Sequence, residues 1–292
     1  MILERMTVET IKVGKYSFVI TENKFAFADK IISHSFKIGG TYDNCISISY
    51  TYNNLTPISA KIVHVSYEPE CTTESNLEKS GGTAIMLKTF LRYVVKKVPS
   101  VTVFTFEDMS HIDCVEKDLS KPPPRKQNRP LSLAYLSIAY NSCTWYEKYF
   151  DTKMTDTDRY TKYQELVQFL TEPGAKVNFV SFLQIAQPPQ TQIEYLQKIY
   201  DVADTYRSFF NAIPFSDRCE ILRPWLKTFI EYYLGDKYSP YGWEINALGP
   251  KISTNASFGG KRGKKGRRNT VKQNEIFPFN YKVIMYNEIH PF

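Results

Sequence analysis

Four stretches in the first seventy residues, KYSFVIT (15–21), KFAFADKI (24–31), CISISYTY (45–52) and SAKIVHVSYEP (59–69), alternate or cluster β-branched and aromatic side chains. A period of two belongs to half-buried strands, because successive side chains leave a pleated backbone on opposite faces. The turn-forming NNLTP (53–57) separates two of them, so a meander of antiparallel strands is expected. The period then changes. In KSGGTAIMLKTFLRYVVKKV (79–98), Leu87, Phe90, Leu91, Val94 and Val98 fall on one helical face, Lys88, Arg92 and Lys96 on another, and Pro99 stops the helix. A fifth strand, VTVFTFED (101–108), is apolar enough to be buried, and a second helix around 132–149 follows the polar, proline-rich KPPPRKQNRP (121–130).

Beyond Asp151 the pattern is helical. Tyr160, Tyr163, Val167 and Leu170 mark one helix, closed by Pro173-Gly174, and Ile193, Leu196, Ile199, Ala203, Tyr206 and Phe210 mark another. A third runs from Asp217 to Leu234, interrupted at Pro224 and ended by Gly235. IFPFNYKVIMYNEI (276–289) reads as a closing strand or hairpin. The expected organisation is a mixed domain over 1–150, a helical extension over 151–250, a basic flexible segment over 251–275 and a C-terminal strand or hairpin over 276–292.

With 292 residues, 42% of them hydrophobic, the chain can bury a large core. No apolar run approaches the roughly 18 residues of a membrane span, and the first residues lack a charged segment followed by an apolar one. No membrane partner is expected, and the location is expected to be intracellular. Five cysteines, scattered and odd in number, give no expectation of a disulfide framework. His111 and Cys114 have no second ligand pair at suitable spacing, so no metal is expected.

The chain has 37 basic and 30 acidic residues. Lys261, Arg262, Lys264, Lys265, Arg267 and Arg268 hold six of the positive charges, and the remainder is close to neutral. Interleaved glycines keep this segment from holding a helix and leave its cations free to neutralise phosphates. Nucleic acid, nuclear import, an acidic protein surface, cofactor phosphates or no partner at all are the open readings. The absence of aromatic residues within the segment argues against base stacking there.

Two glycines at the entrance of the first long helix raise a specific possibility. The first amides of a helix lack internal partners and, with the helix dipole, favour an anion, while glycine allows a ligand close to the backbone. The order of elements here resembles the GNAT superfamily of N-acetyltransferases, whose cofactor loop, Q/R-x-x-G-x-G/A, follows a central strand and opens a helix. In KSGGTA, Lys79 stands at the Q/R position, Gly82 at the glycine and Ala84 at the G/A position. The resemblance implies that Lys79, Ser80, Gly81, Gly82, Thr83 and Ala84 bind acetyl-CoA as co-substrate. TWYEKYF (144–150) is similar to the family's helix whose tyrosine protonates the leaving thiolate, which puts Tyr146 in that role, although the usual glycine before the phenylalanine is missing. The implied fold is α+β (α/β): a mixed, mostly antiparallel sheet flanked by helices, with a helical C-terminal extension.

The family's last two strands are not evident after Phe150; either the C-terminal strands complete the sheet or the fold is altered. The implied reaction is attack by an unidentified amine on the thioester carbonyl. Glu68 and Glu70 near the end of the fourth strand, and Glu107 and Asp108 at the end of the fifth, are carboxylates suited to act as base. Glu68 and Glu107 represent the two strand ends in the catalytic set with Tyr146. The alternative is a non-enzymatic scaffold of this fold that associates with nucleic acid or serves as a virion structural protein. The Lys-, Asn-, Ile- and Tyr-rich composition is similar to that of proteins of large DNA viruses.

Overall fold

The computed structural model describes residues 2–13, 16–27, 30–39, 44–51, 59–65, 82–108, 110–118, 125–235 and 241–253. The turn at 53–57, Cys71, the basic segment beyond Ser253 and the expected C-terminal strand lie outside the described residues; residues 251–253, read as the start of the flexible segment, are helical instead. The chain is a mixed α+β protein with a large, mostly antiparallel sheet and many helices. It divides into two units: one formed by the described residues up to Phe104 and from Asn246 onward, the other by Thr105–Ile245.

The first unit is built on a meander. Strands β1 (Ile2–Val13), β2 (Tyr16–Phe27), β3 (Lys30–Gly39), β4 (Asn44–Thr51) and β5 (Ser59–Val65) lie in sequence order, each antiparallel to the one before. Period-two burial explains the arrangement: Tyr16, Phe18 and Ile20 on β2, Phe36 and Ile38 on β3, and Ile46 and Ile48 on β4 are buried, while their neighbours Ser17, Val19, Lys37 and Ser47 are not. Helix α1 (Gly82–Lys97) packs against β3, with Tyr93 meeting the Phe36 ring edge-on at 6.1 Å between centroids. Its apolar stripe is wider than the sequence pattern, since Ile85 and Met86 are buried as well. Its charged side is not a free face: Lys88 is buried and Arg92 Nε donates to the Ile252 carbonyl at 2.5 Å, on the short helix α10 (Pro250–Ser253) packed against α1.

Strand β6 (Val103–Glu107) follows α1 and lies beside β5 in the sheet, its first two residues belonging to this unit. In the second unit the remainder of β6 lies beside β10 (Tyr241–Asn246), which pairs antiparallel with β9 (Thr152–Met154). The segment read as a polar connection, 121–130, overlaps strand β8 (Arg125–Ser132), which pairs with β7 (His111–Asp118) before it. The single helix expected over 132–149 is two, α2 (Leu133–Asn141) and α3 (Trp145–Tyr149), because Ser142 takes a left-handed conformation and Thr144 caps the new start.

The helical region consists of α4 (Thr157–Thr171), α5 (Phe179–Ala186), α6 (Ile193–Asp201), α7 (Tyr206–Ala212), α8 (Arg218–Ile221) and α9 (Leu226–Leu234). Its core is aromatic. Phe182 lies 5.0–5.9 Å from the rings of Tyr200, Phe209, Trp225, Phe229 and Phe179. Gly235 closes α9 at φ 75°, where a side chain on an L-residue would be strained. Gly242 on β10 has φ 91°, and a Cβ there would stand 2.5 Å from Thr155 Oγ1. Gly242→Ala is therefore expected to lower the stability of this unit by roughly 1–3 kcal/mol, read from denaturant unfolding.

One expectation from the cysteines is overturned. Cys114 on β7 and Cys219 on α8 form a disulfide across 105 residues, and Cys45 is disulfide-bonded too; Cys143 is the cysteine among the described residues that is in no disulfide. An odd count leaves one thiol over without preventing the others from pairing, and spatial adjacency at this separation is invisible in a linear pattern. Among the described residues, no helix is long and apolar enough to cross a membrane, and no cluster of three or more His, Cys, Asp or Glu could hold a metal ion.

Candidate functional site

Of the loop expected to hold a cofactor, Lys79, Ser80 and Gly81 lie outside the described residues, as do Glu68 and Lys261, Arg262, Lys264, Lys265, Arg267 and Arg268. Gly82 is the first residue of α1, and Thr83 and Ala84 complete its opening. The first turn carries no acidic residue that would satisfy or repel at the amide end. Thr83 is only 4% exposed, and its hydroxyl makes no hydrogen bond. A buried hydroxyl without a partner forfeits its hydration with nothing in return, so such groups are rare unless a ligand or water completes them.

In the second unit, Tyr146 follows Trp145 at the start of α3, fixed by a reciprocal cap in which Thr144 Oγ1 accepts from Glu147 N at 3.2 Å and Glu147 Oε2 accepts from Thr144 N at 2.8 Å. Its ring rests on Phe106 of β6 at 4.2 Å between centroids. Burial raises the phenol well above its ordinary pKa, and the charge of nearby Asp108 adds to this. Asp108 is itself buried. Burial pushes its carboxyl up against the opposing bonds from Ser110, whose hydroxyl donates to Oδ1 at 2.5 Å and whose amide does so at 3.2 Å. Burial thus favours the protonated form of both groups. Glu107 is only half-buried and alternates to the opposite side of β6 from Phe106, the ring that Tyr146 contacts.

The sequence reading missed a third polar cluster, in the first unit. On the buried side of the meander, His34 Nε2 bonds Glu22 Oε1 at 2.7 Å, and His34 Nδ1 bonds the Tyr50 hydroxyl. Lys24 Nζ adds a contact to Glu22 Oε1 at 2.8 Å, and Thr7 Oγ1 donates to Oε2 at 3.2 Å. Register explains the meeting: Tyr50 is directly opposite His34, while Glu22 is its diagonal neighbour across β2 and β3. Burial lowers the imidazole pKa more than Glu22 raises it. Burial also pushes the Glu22 carboxyl up, but the bonds from Lys24 and His34 outweigh this and hold it below its ordinary value. The available signal was an alternation placing His34 on the same face as Phe36 and Ile38, with a titratable group at a core position.

Both shifts make this cluster acid-sensitive. The unfolded imidazole takes up a proton near pH ~6.5, before the folded one does, so stability falls from there down to the folded pKa. Glu22 contributes stability that is present above pH ~4.3 and lost as pH falls through its lower folded value. The stability advantage of wild type over His34→Gln, measured by urea unfolding, is expected to shrink between pH 7.5 and 5.5; an advantage that stays constant or grows would contradict this.

No protein-family model matches the chain, and neither the curated proteins nor the solved structures include a match.

Proposed function

We propose that the chain is an acetyl-CoA-dependent N-acetyltransferase of GNAT-like organisation, with α1 as the helix that receives the cofactor pyrophosphate. The observation that carries this reading is the buried, unpartnered Thr83 hydroxyl in the acid-free first turn of α1. An anion there would accept bonds from that hydroxyl and from the free amides of the turn. The element order also supports the reading. Helix α1 stands in the chain between sheet neighbours β5 and β6, the tyrosine helix α3 comes later, and β9 and β10 follow it in the chain and stand after β6 in the sheet order.

In this reaction the amine nitrogen attacks the thioester carbonyl carbon, the carbon–sulfur bond breaks, the nitrogen gives up a proton to a base or water, and the departing thiolate takes one. Tyr146 is the proposed donor because of its place in TWYEKYF, the stretch that carries the resemblance, and because a phenol, with a pKa near ~10 or above, holds its proton at neutral pH.

An amine panel assayed for thiol release with acetyl-CoA tests the proposal. Tyr146→Phe is expected to lower the rate about 10²–10⁴-fold while leaving acetyl-CoA affinity nearly unchanged; equal rates in wild type and variant would remove Tyr146 from the chemistry. The alternative, a non-enzymatic scaffold whose six clustered cations contact nucleic acid, predicts salt-dependent retention on DNA or RNA without any acetyl-CoA binding.

A further inference from the structure

We propose that β1 pairs antiparallel with β1 of a second copy of this chain, about a two-fold axis at Thr7. Strand β1 is at the edge of the sheet order, twelve residues long and without a bulge in its register to β2. Arg5 to Thr10 are exposed without interruption, on both faces of the strand, with Met6 65% and Val8 57% exposed. An open edge of this kind offers a full row of unpaired amides and carbonyls to another strand.

The main chain restricts the registers. Val13 and Tyr16 are the last pair before a two-residue connection, which closes on a pair that exchanges both backbone bonds. Odd residues of β1 therefore turn their amides and carbonyls toward β2, and Glu4, Met6, Val8 and Thr10 turn theirs to the open edge. Two copies must match even positions with even ones. An axis at Thr7 does so and sets Met6 opposite Val8, Leu3 opposite Ile11 and Arg5 opposite Glu9. Moving the axis to Met6 or Val8 sets Arg5 opposite Thr7 or Ile11 instead.

Charge selects the same register. Arg5 stands directly opposite Lys24 of β2, whose ammonium already pairs with Glu22, and Arg5 has no carboxylate partner among the described residues. Like charges across a strand pair destabilise it, and Glu9 of a second copy would relieve the conflict from the other side. The Glu9 side chain remains 45% exposed while bonding Lys97, so it can accept from Arg5 as well. The interface is isologous, each copy giving and receiving the same contacts twice.

Analytical ultracentrifugation of the full chain is expected to show a dimer. Val8→Pro removes an outward amide without touching the β2 ladder and should give a folded monomer by circular dichroism. Arg5→Glu and Glu9→Arg should each weaken self-association at least tenfold, whereas an equimolar mixture of the two should dimerise, because each like-charge pair becomes an opposite one. In a Cys143→Ser background, Thr7→Cys should cross-link to itself under mild oxidation and Thr10→Cys should not, since only the axis pair brings identical residues within disulfide reach. A wild type that stays monomeric at every concentration overturns the proposal, as does a dimer that survives both Val8→Pro and Arg5→Glu, or a mixture that fails to associate.

Discussion

Replacing Cys114 and Cys219 together by alanine is expected to lower stability by about 2–5 kcal/mol, with full loss of cooperative folding at 37 °C as the extreme outcome. The bond joins β7 to α8 and closes 105 residues of chain. In the chain-entropy account a loop of that size contributes roughly 4.7 kcal/mol by restricting the unfolded ensemble, independently of contacts in the native state. Both cysteines are on elements of the second unit, so its helices and the β7–β8 hairpin should lose stability together. Cys143→Ser, at a half-buried cysteine outside any disulfide, provides the control and should change the denaturant midpoint little. Non-reducing peptide mapping should recover Cys114 and Cys219 in one linked species; finding both as free thiols would contradict the assignment. The bond also bears on where the protein works, because disulfides persist mainly in oxidising surroundings.

Phe182→Ala should cost about 3–5 kcal/mol, the range for removing a large aromatic from a packed core. Phe182 has no solvent exposure, and the rings around it come from α5, α6, α7 and α9 as well as Trp225 just before α9. Deleting it opens a cavity that four separate helices would have to close. The neighbouring Val180 is 66% exposed on the same helix, and Val180→Ala should stay within about 0.5 kcal/mol. Equal effects at the two positions, read from urea unfolding, would contradict the packing described for α5.

What the sequence revealed and what it hid follow from one physical cause: periodicity is legible only where one face is buried and the other is not. Strand β4 and helix α1 have such faces and were legible, whereas β2 reads in the sequence as two strands, 15–21 and 24–31, and is one, Tyr16–Phe27. Strand β1 was not legible, because exposure on both sides removes the apolar alternation and leaves ILERMTVETIKV without a clear face. The β7–β8 hairpin was hidden by its charges and by the three prolines at 122–124. In the helical region the apolar positions of Ile193 to Phe210 suggested one element, whereas Thr205 caps a second start through its bonds with Ser208. Helix α5 escaped notice because it is only eight residues long and lies between proline-rich punctuation.

The candidate sites divide in the same way. Gly82, Ala84 and Tyr146 could be singled out from short motifs, and Asp108 from its strand end. The empty hydrogen-bonding capacity of Thr83 and the Glu22–His34–Tyr50 cluster depend on burial and cross-strand register, neither of which is written in residue spacing.

Calorimetric titration of acetyl-CoA into wild type and Thr83→Val tests the central claim most directly. If the α1 entrance is an anion site, wild type binds. The valine variant, having lost a charge-assisted hydrogen bond of about 1.5–3 kcal/mol, binds roughly ten- to a hundredfold more weakly. The same variant should unfold at a slightly higher temperature in the absence of ligand, because it removes a buried hydroxyl that has no partner. No heat of binding in wild type, or equal affinity in both proteins, would contradict the claim.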